Sequence, residues 1–268
     1  IMARMNRKVP AKRRPVRKTN RKARKSNLKK FVKKVVSELT ETKEAYTSTG
    51  NTPILFNSGI DSVGDIQPIL PAMGQGPDTN QRIGQQVRAR RLNIKGHIKL
   101  NINNTAGNSK MPNVIARLMV VSMKNKSSYG DVTASALPLA TLLRKGGSTV
   151  GFSGLLSDVY APINTDVFTV HHDKKFYLSQ SYINAIGPSV PSQYVTQDIS
   201  KTVKFFNINI KCKNKLLKYD EDISSDSWPT NYSPFLILGY SYLDGSVPDT
   251  VSTQLGLIYD SMFQYEDA

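Results

Sequence analysis

The chain holds 268 residues, with 37 lysines and arginines against 20 aspartates and glutamates, one cysteine and 39% hydrophobic residues. That length can bury the core of one large β or α/β domain, whereas a lone thiol excludes a disulfide scaffold and any cysteine-based zinc site. The formal net charge of +17 points to a polyanionic partner, and where the charge sits matters more than its total.

It sits at the start of the chain. Residues 1–34 carry Arg4, Arg7, Lys8, Lys12, Arg13, Arg14, Arg17, Lys18, Arg21, Lys22, Arg24, Lys25, Lys29, Lys30, Lys33 and Lys34, and no acidic residue. The other 234 residues hold 21 basic against 20 acidic groups, so the expectation is a near-neutral body with a cationic arm. Residues 1–25 have almost nothing to bury, and Pro10 and Pro15 interrupt them. Such a segment cannot offset its ordering entropy alone and is expected to be disordered in the free protein. Its crowded cations repel one another, and phosphates relieve that repulsion while releasing their own counterions. The sixteen basic residues are therefore the candidate nucleic-acid-binding set. The clusters Lys12-Arg13-Arg14 and Arg21-Lys22-Ala23-Arg24-Lys25 would also serve as a nuclear-import signal. No apolar stretch of the kind a secretory signal needs lies in the first thirty residues, and no run of about 18 apolar residues predicts a membrane span.

Residues 26–42 read as an amphipathic basic helix and linker. Leu28, Phe31, Val32, Val35, Val36 and Leu39 form one helical stripe, opposite Lys29, Lys30, Lys33 and Lys34. Ser26 or Asn27 can cap the start. The stripe is expected to dock on the body or on a neighbouring subunit.

From residue 43 to residue 268 the pattern is short alternating runs separated by Gly, Pro, Asn and Ser. The clearest strand places Leu92, Ile94, Ile98, Leu100 and Ile102 on one face, with Asn93, Lys95, His97, Lys99 and Asn101 on the other. Further strands are expected at 114–123, 167–172, 175–178, 203–212, 235–242 and 255–265, with a weaker one at 43–48. Two of these, 114–123 and 235–242, are almost continuously apolar, as strands covered on both sides are. The Pro- and Gly-rich stretch 47–82 reads as a long loop, and 136–144 as a helical turn. About eight strands with long connections predict an all-β fold, an eight-stranded jelly-roll sandwich rather than an up-and-down barrel.

Candidates for chemistry are few. His171-His172-Asp173 resembles a metal or catalytic triplet, but adjacent strand residues point to opposite faces, so the two rings converge only across a bulge. Asp220, Glu221, Asp222 and Asp226 offer hard oxygen ligands without the spacing of a calcium loop. Gly146-Gly147-Ser148-Thr149 lacks the lysine of a phosphate loop, and Gly151-Phe152-Ser153-Gly154 misses a nucleophile elbow by one residue. The expectation is no catalytic residue, no metal site and no cofactor, hence no enzyme.

The run GQGPDTNQRIGQQVRARRLNIKGHIKLNI (74–102) resembles the entry to the first long strand in capsid proteins of circular Rep-encoding single-stranded DNA viruses, the circovirus-like group. The matching pieces are Gln75-Gly76, Arg82-Ile83-Gly84 and the strand 92–102. A second piece, DVFTVHHDKKFYLS (166–179), looks like that family's hairpin with Asp173-Lys174 at the turn. The resemblance implies a single jelly roll and self-assembly into an icosahedral shell, commonly of 60 copies. It also implies an arm facing a packaged single-stranded genome, DNA in that group. Similar shells occur in small RNA viruses, and a non-capsid nucleic-acid chaperone or movement protein is the rival reading. Residence in the virion, passage through the host nucleus by way of its import machinery, and no stable membrane insertion follow as expectations. Sixty arms would bring on the order of 1,000 positive charges to a genome of phosphates. Arg88, Arg90 and Arg91 would either extend that basic surface or pair with carboxylates across a subunit contact.

Overall fold

The computed structural model describes residues 27–28, 31–32, 35, 42–50, 52–54, 67–78, 80–100, 113–125, 141–179, 199–219, 227–248 and 255–267. The chain divides into two units, Ile1–Glu41 and Thr42–Ala268. In the first unit Asn27, Leu28, Phe31, Val32 and Val35 are helical. The side chains of Leu28, Phe31 and Val32 are 64%, 64% and 51% exposed, so that part of the stripe is not buried.

Among its described residues the second unit has eleven strands: β1 (Thr42–Ser48), β2 (Thr52–Ile54), β3 (Gln67–Pro68), β4 (Gln86–Leu100), β5 (Val114–Met123), β6 (Leu143–Lys145), β7 (Ser148–Val150), β8 (Phe168–Leu178), β9 (Val203–Lys218), β10 (Pro234–Tyr242) and β11 (Leu255–Asp267). Two short helices join them, α1 (Leu156–Tyr160) and α2 (Ile199–Thr202). Sheet A runs β1-β11-β4-β9, with β2 also paired to β11, and sheet B runs β3-β10-β5-β8. Leaving out β2 and the β6–β7 hairpin, the first strand pairs with the last, the second with the seventh, the third with the sixth and the fourth with the fifth. All four pairings are antiparallel. A long antiparallel ribbon wrapped once into two facing sheets is a jelly roll.

Alternation explains sheet A. On β4, Leu92, Ile94, Ile98 and Leu100 are buried while Lys95 and Lys99 are exposed. The strand begins earlier than its periodicity announces, because Arg90 is an extra residue in a bulge against β11. Inserting one residue reverses the parity. Hence Val87 and Ala89, which are odd-numbered, share the core with Leu92 and Ile94.

Sheet B is covered on both faces, which is why β5 and β10 read as continuous apolar runs. Val114, Ala116, Leu118 and Val120 enter the core shared with sheet A. Ile115, Met119 and Val121 enter a second core with Leu142, Phe152, Val159 and Phe168, supplied by the connection from β5 to β8. Arg117, only 3% exposed, ties that connection down. It donates Nε and Nη2 to the Asp173 carboxylate at 2.9 and 2.6 Å, and Nη1 to the carbonyls of Asp158 and Ala161 at 2.9 and 2.6 Å. Asp158 is fully buried and accepts from Ser153 N, Ser153 Oγ, Leu155 N and Lys145 Nζ, so its charge is compensated at the start of α1.

Three sequence expectations are corrected. Asp173 and Lys174 form no turn; they lie inside the continuous strand β8, which merges the two strands expected at 167–172 and 175–178. Asp173 is held there by Arg117 rather than by turn chemistry. Within the stretch expected to be a helical turn, Leu143 and Arg144 belong to β6, which forms a hairpin with β7. Its turn passes through Gly146 and Gly147 at φ +55° and +90°, conformations glycine adopts without steric cost. That accounts for the Gly-Gly pair, which is a hairpin turn and not a phosphate loop; residues 136–140 lie outside the described residues. The stretch expected to be one long loop contains β2 and β3, and Pro68 sits on the outermost strand of sheet B, where a missing N–H costs no ladder bond. Arg90 pairs with Glu266 of its own chain and donates to Asn214 Oδ1 at 3.0 Å.

Candidate nucleic-acid interface

The basic residues of the arm, Arg4 to Lys25 and Lys29, Lys30, Lys33 and Lys34, lie outside the described residues, as does the acidic run from Asp220 to Asp226. What the structure adds is the basic surface of the body, and sheet register locates it. Thr42 of β1 pairs with Glu266, Glu266 with Arg88, and Arg88 with Leu216. These four residues form one row across sheet A. The leader therefore joins the body at the end of the sheet that carries Arg88.

That end is rich in cations. Arg88, Arg91, Lys211, Lys213, Lys215 and Lys218 are all exposed. Among the described residues, Glu266 beside this cluster pairs with Arg90, and Asp267 with Lys43 at 2.9 Å. The local cause of the cluster is the irregularity where β4 meets β9: Ala89 pairs with Lys215 and Arg91 with Lys211, leaving Cys212, Lys213 and Asn214 opposite Arg90. Lys213 and Asn214 take positive φ values of 52° and 59°, a left-handed excursion unusual outside glycine. It turns two consecutive side chains outward and breaks the strict alternation. Composition offers a signal for this cluster, since KCKNK (211–215) repeats lysine at every second position and 211–218 holds four lysines without an acid.

The outer face of sheet A is mixed in charge. It presents Arg91, Asn93, Lys95, His97 and Lys99 on β4 beside Phe205, Asn207, Asn209 and Lys211 on β9. Phe205 is 74% exposed and its ring lies 5.6 Å from that of His97. A depression of about 450 Å³ on this face is lined by Tyr46, Asn93, Lys95, Asp260 and Met262 among others. Asp260 and Glu44 place carboxylates there, so phosphate attraction is weaker than at the Arg88 end. The motif residues 75–84 form the entry to β4. Gln75 bridges to Arg82, Gly76 N donates to Arg82 O at 3.1 Å, and the Arg82 guanidinium lies 4.4 Å over the Tyr219 ring. This segment shapes the end of the sandwich and is structural.

The three histidines do not come together. His97 belongs to sheet A. On β8, His171 is the bulged residue opposite Val120 and Val121, so the bulge that convergence requires is present. His171 Nε2 nevertheless faces Ser122 Oγ at 2.9 Å, and His172 Nε2 is buried with no hydrogen-bond partner. Burial lowers the pKa of both rings, which keeps them neutral near pH 7. No group of three or more potential metal ligands occurs among the described residues. The Cys212 thiol is pushed up to about 11, chiefly by burial, so it is a poor nucleophile.

No family model matches the chain, and no curated protein matches it. Among solved structures it is similar to a chain of Desmodium yellow mottle tymovirus, at 12% identity and a TM-score of 0.26, covering 99% of this chain and 92% of that one. Similarity at that level carries no argument, and the fold rests on its own strand pairing.

Proposed function

We propose that this chain is a viral capsid subunit, a structural and non-enzymatic protein that assembles with copies of itself into an icosahedral shell and packages single-stranded nucleic acid. The observation that carries the reading is a jelly roll whose first strand is preceded by a leader with sixteen basic residues and no acid. Jelly rolls also serve lectins and cupins, so the fold alone does not decide; the leader does. Sixteen cations on a segment with nothing to bury bind phosphates through counterion release, without base readout. A cluster of exposed body cations, Arg88, Arg91, Lys211, Lys213, Lys215 and Lys218, lies at the end of sheet A that carries Thr42, the first residue of the body. The resemblance of residues 74–102 to circovirus-like capsid proteins favours DNA as the genome. In this reading the Lys12–Arg14 and Arg21–Lys25 clusters also direct nuclear entry, with the virion as the final location.

The test is assembly. The expressed protein, viewed by negative-stain microscopy and sedimentation, forms uniform closed particles that carry nucleic acid. Monomers persisting at high concentration in both low and high salt would overturn the capsid reading. Strong preference for one short sequence would favour a non-capsid nucleic-acid-binding protein.

A further inference from the structure

The sandwich has an opening where β9, the outermost strand of sheet A, lies beside β8, the outermost strand of sheet B. A cavity of about 270 Å³ sits there, lined by Lys124, Lys211, Lys213, Lys215, His171 and Tyr232, together with Ser122, Thr169, Cys212 and neighbouring apolar groups. No carboxylate of the described residues lines it. We propose that this cavity binds a phosphate group, held by the ammonium groups of Lys124, Lys211, Lys213 and Lys215, and that the phosphate belongs to the backbone of the packaged strand.

Four lysines around one cavity repel one another, and an oxyanion at their centre removes that repulsion. The walls are fixed. Lys215 Nζ lies 4.1 Å above the Tyr232 ring, which also meets the His171 ring edge-on at 6.2 Å. Tyr232 is 6% exposed and anchored in the core. His171 is held by Ser122, and neighbouring Lys215 further disfavours its charged form, so it contributes shape rather than charge. The lysines come from two segments: Lys124 follows β5, and Lys211, Lys213 and Lys215 lie on β9 at and beside its left-handed excursion. The backbone phosphate is favoured over a free one by position, because the row Thr42–Glu266–Arg88–Leu216 puts the leader's junction at the same end of the sheet. A strand gathered by the leader meets this cavity next.

The proposal rests on the leader binding a polyphosphate strand, and its test is independent of shell formation. The full chain carrying Lys124→Gln, Lys213→Gln and Lys215→Gln is titrated with oligo-dT at several salt concentrations. Each lost phosphate contact lowers the slope of log affinity against log salt by about 0.7 for a single strand, and the cavity holds one phosphate, so the expected fall is about 0.7. The corresponding Lys→Arg variant keeps the wild-type slope. Lys95→Gln with Lys99→Gln, on the outer face of sheet A, tests for a mere loss of net charge. In parallel, inorganic phosphate is added and thermal unfolding is followed. A slope change without stabilisation by phosphate assigns the site to the strand backbone, and stabilisation lost in the Gln variant without a slope change assigns it to free phosphate. An unchanged slope with no phosphate effect, or an equal per-charge loss in the control, overturns the proposal even if closed particles form.

Discussion

Arg117→Met removes the one guanidinium that holds the β5–β8 connection against sheet B. The methionine fills similar volume and leaves the apolar second core packed, so the measured loss isolates the polar clamp. Removing one member of a buried pair costs about 3–5 kcal/mol when the other is left uncompensated. Here the surviving Asp173 carboxylate is 32% exposed and regains water, which places the charge contribution at about 1–2 kcal/mol. The carbonyls of Asp158 and Ala161, each losing a charged donor, add about 1 kcal/mol apiece. The sum is about 3–4 kcal/mol. For a body of this size about 2 °C of Tm accompanies each kcal/mol, so the expected fall is about 6–8 °C by calorimetry. Hydrogen exchange locates the loss: amides of Leu156–Tyr160 lose protection first, while those of β4 and β11 keep theirs. A Tm within about 1 °C of wild type, with unchanged exchange across α1, would refute the clamp.

Four other outcomes are expected. Gly239→Ala puts a methyl group 2.9 Å from the buried Phe152 ring, costing about 1–3 kcal/mol by overpacking, and Phe152→Leu in the same chain recovers part of it in denaturant titrations. Gly96→Ala drives its methyl group into the Ile258 carbonyl, with Tyr259 Cβ at 2.7 Å and Phe206 Cζ at 2.8 Å; β4 must shift away from β11, and soluble yield falls sharply. The Cys212 thiol and the Tyr265 hydroxyl are raised by burial to about 11 and about 12, so the unfolded chain releases these protons first; stability is full below about pH 9 and declines as pH rises through the folded values, read as urea midpoints from pH 8 to 11. Deleting residues 2–25 removes twelve basic residues, lowering the salt slope of oligonucleotide binding by about 8 and most packaged nucleic acid, with the far-ultraviolet dichroism of the body retained.

Strand existence was legible wherever burial is two-sided or cleanly alternating. The run 114–123 coincides with β5 because both of its faces are covered and every position had to be apolar. The start of β4 was not legible, since the Arg90 bulge reverses parity and makes Val87 and Ala89 look out of phase with Leu92 and Ile94. A turn at Asp173-Lys174 was expected from the resemblance of 166–179 to a family hairpin; only the buried Arg117 diagonally across the sheet explains a carboxylate in mid-strand. Helix α1 spans five residues, too few for a helical period. For the interface, the leader is visible as composition alone. The Lys124–Lys211–Lys213–Lys215 cavity is not, because it depends on β8 and β9 lying side by side and on two non-glycine residues with positive φ.

The pairing of Thr42 with Glu266 and of β4 with β11 has a bearing on how each molecule is born. Sheet A lacks its second strand until residues 255–267 have been synthesised, so the sandwich closes only after they have left the ribosome. Contacts so distant along the polymer make folding slow. Throughout that interval the polycationic leader is already outside, free to find a polyanion before there is any fold behind it.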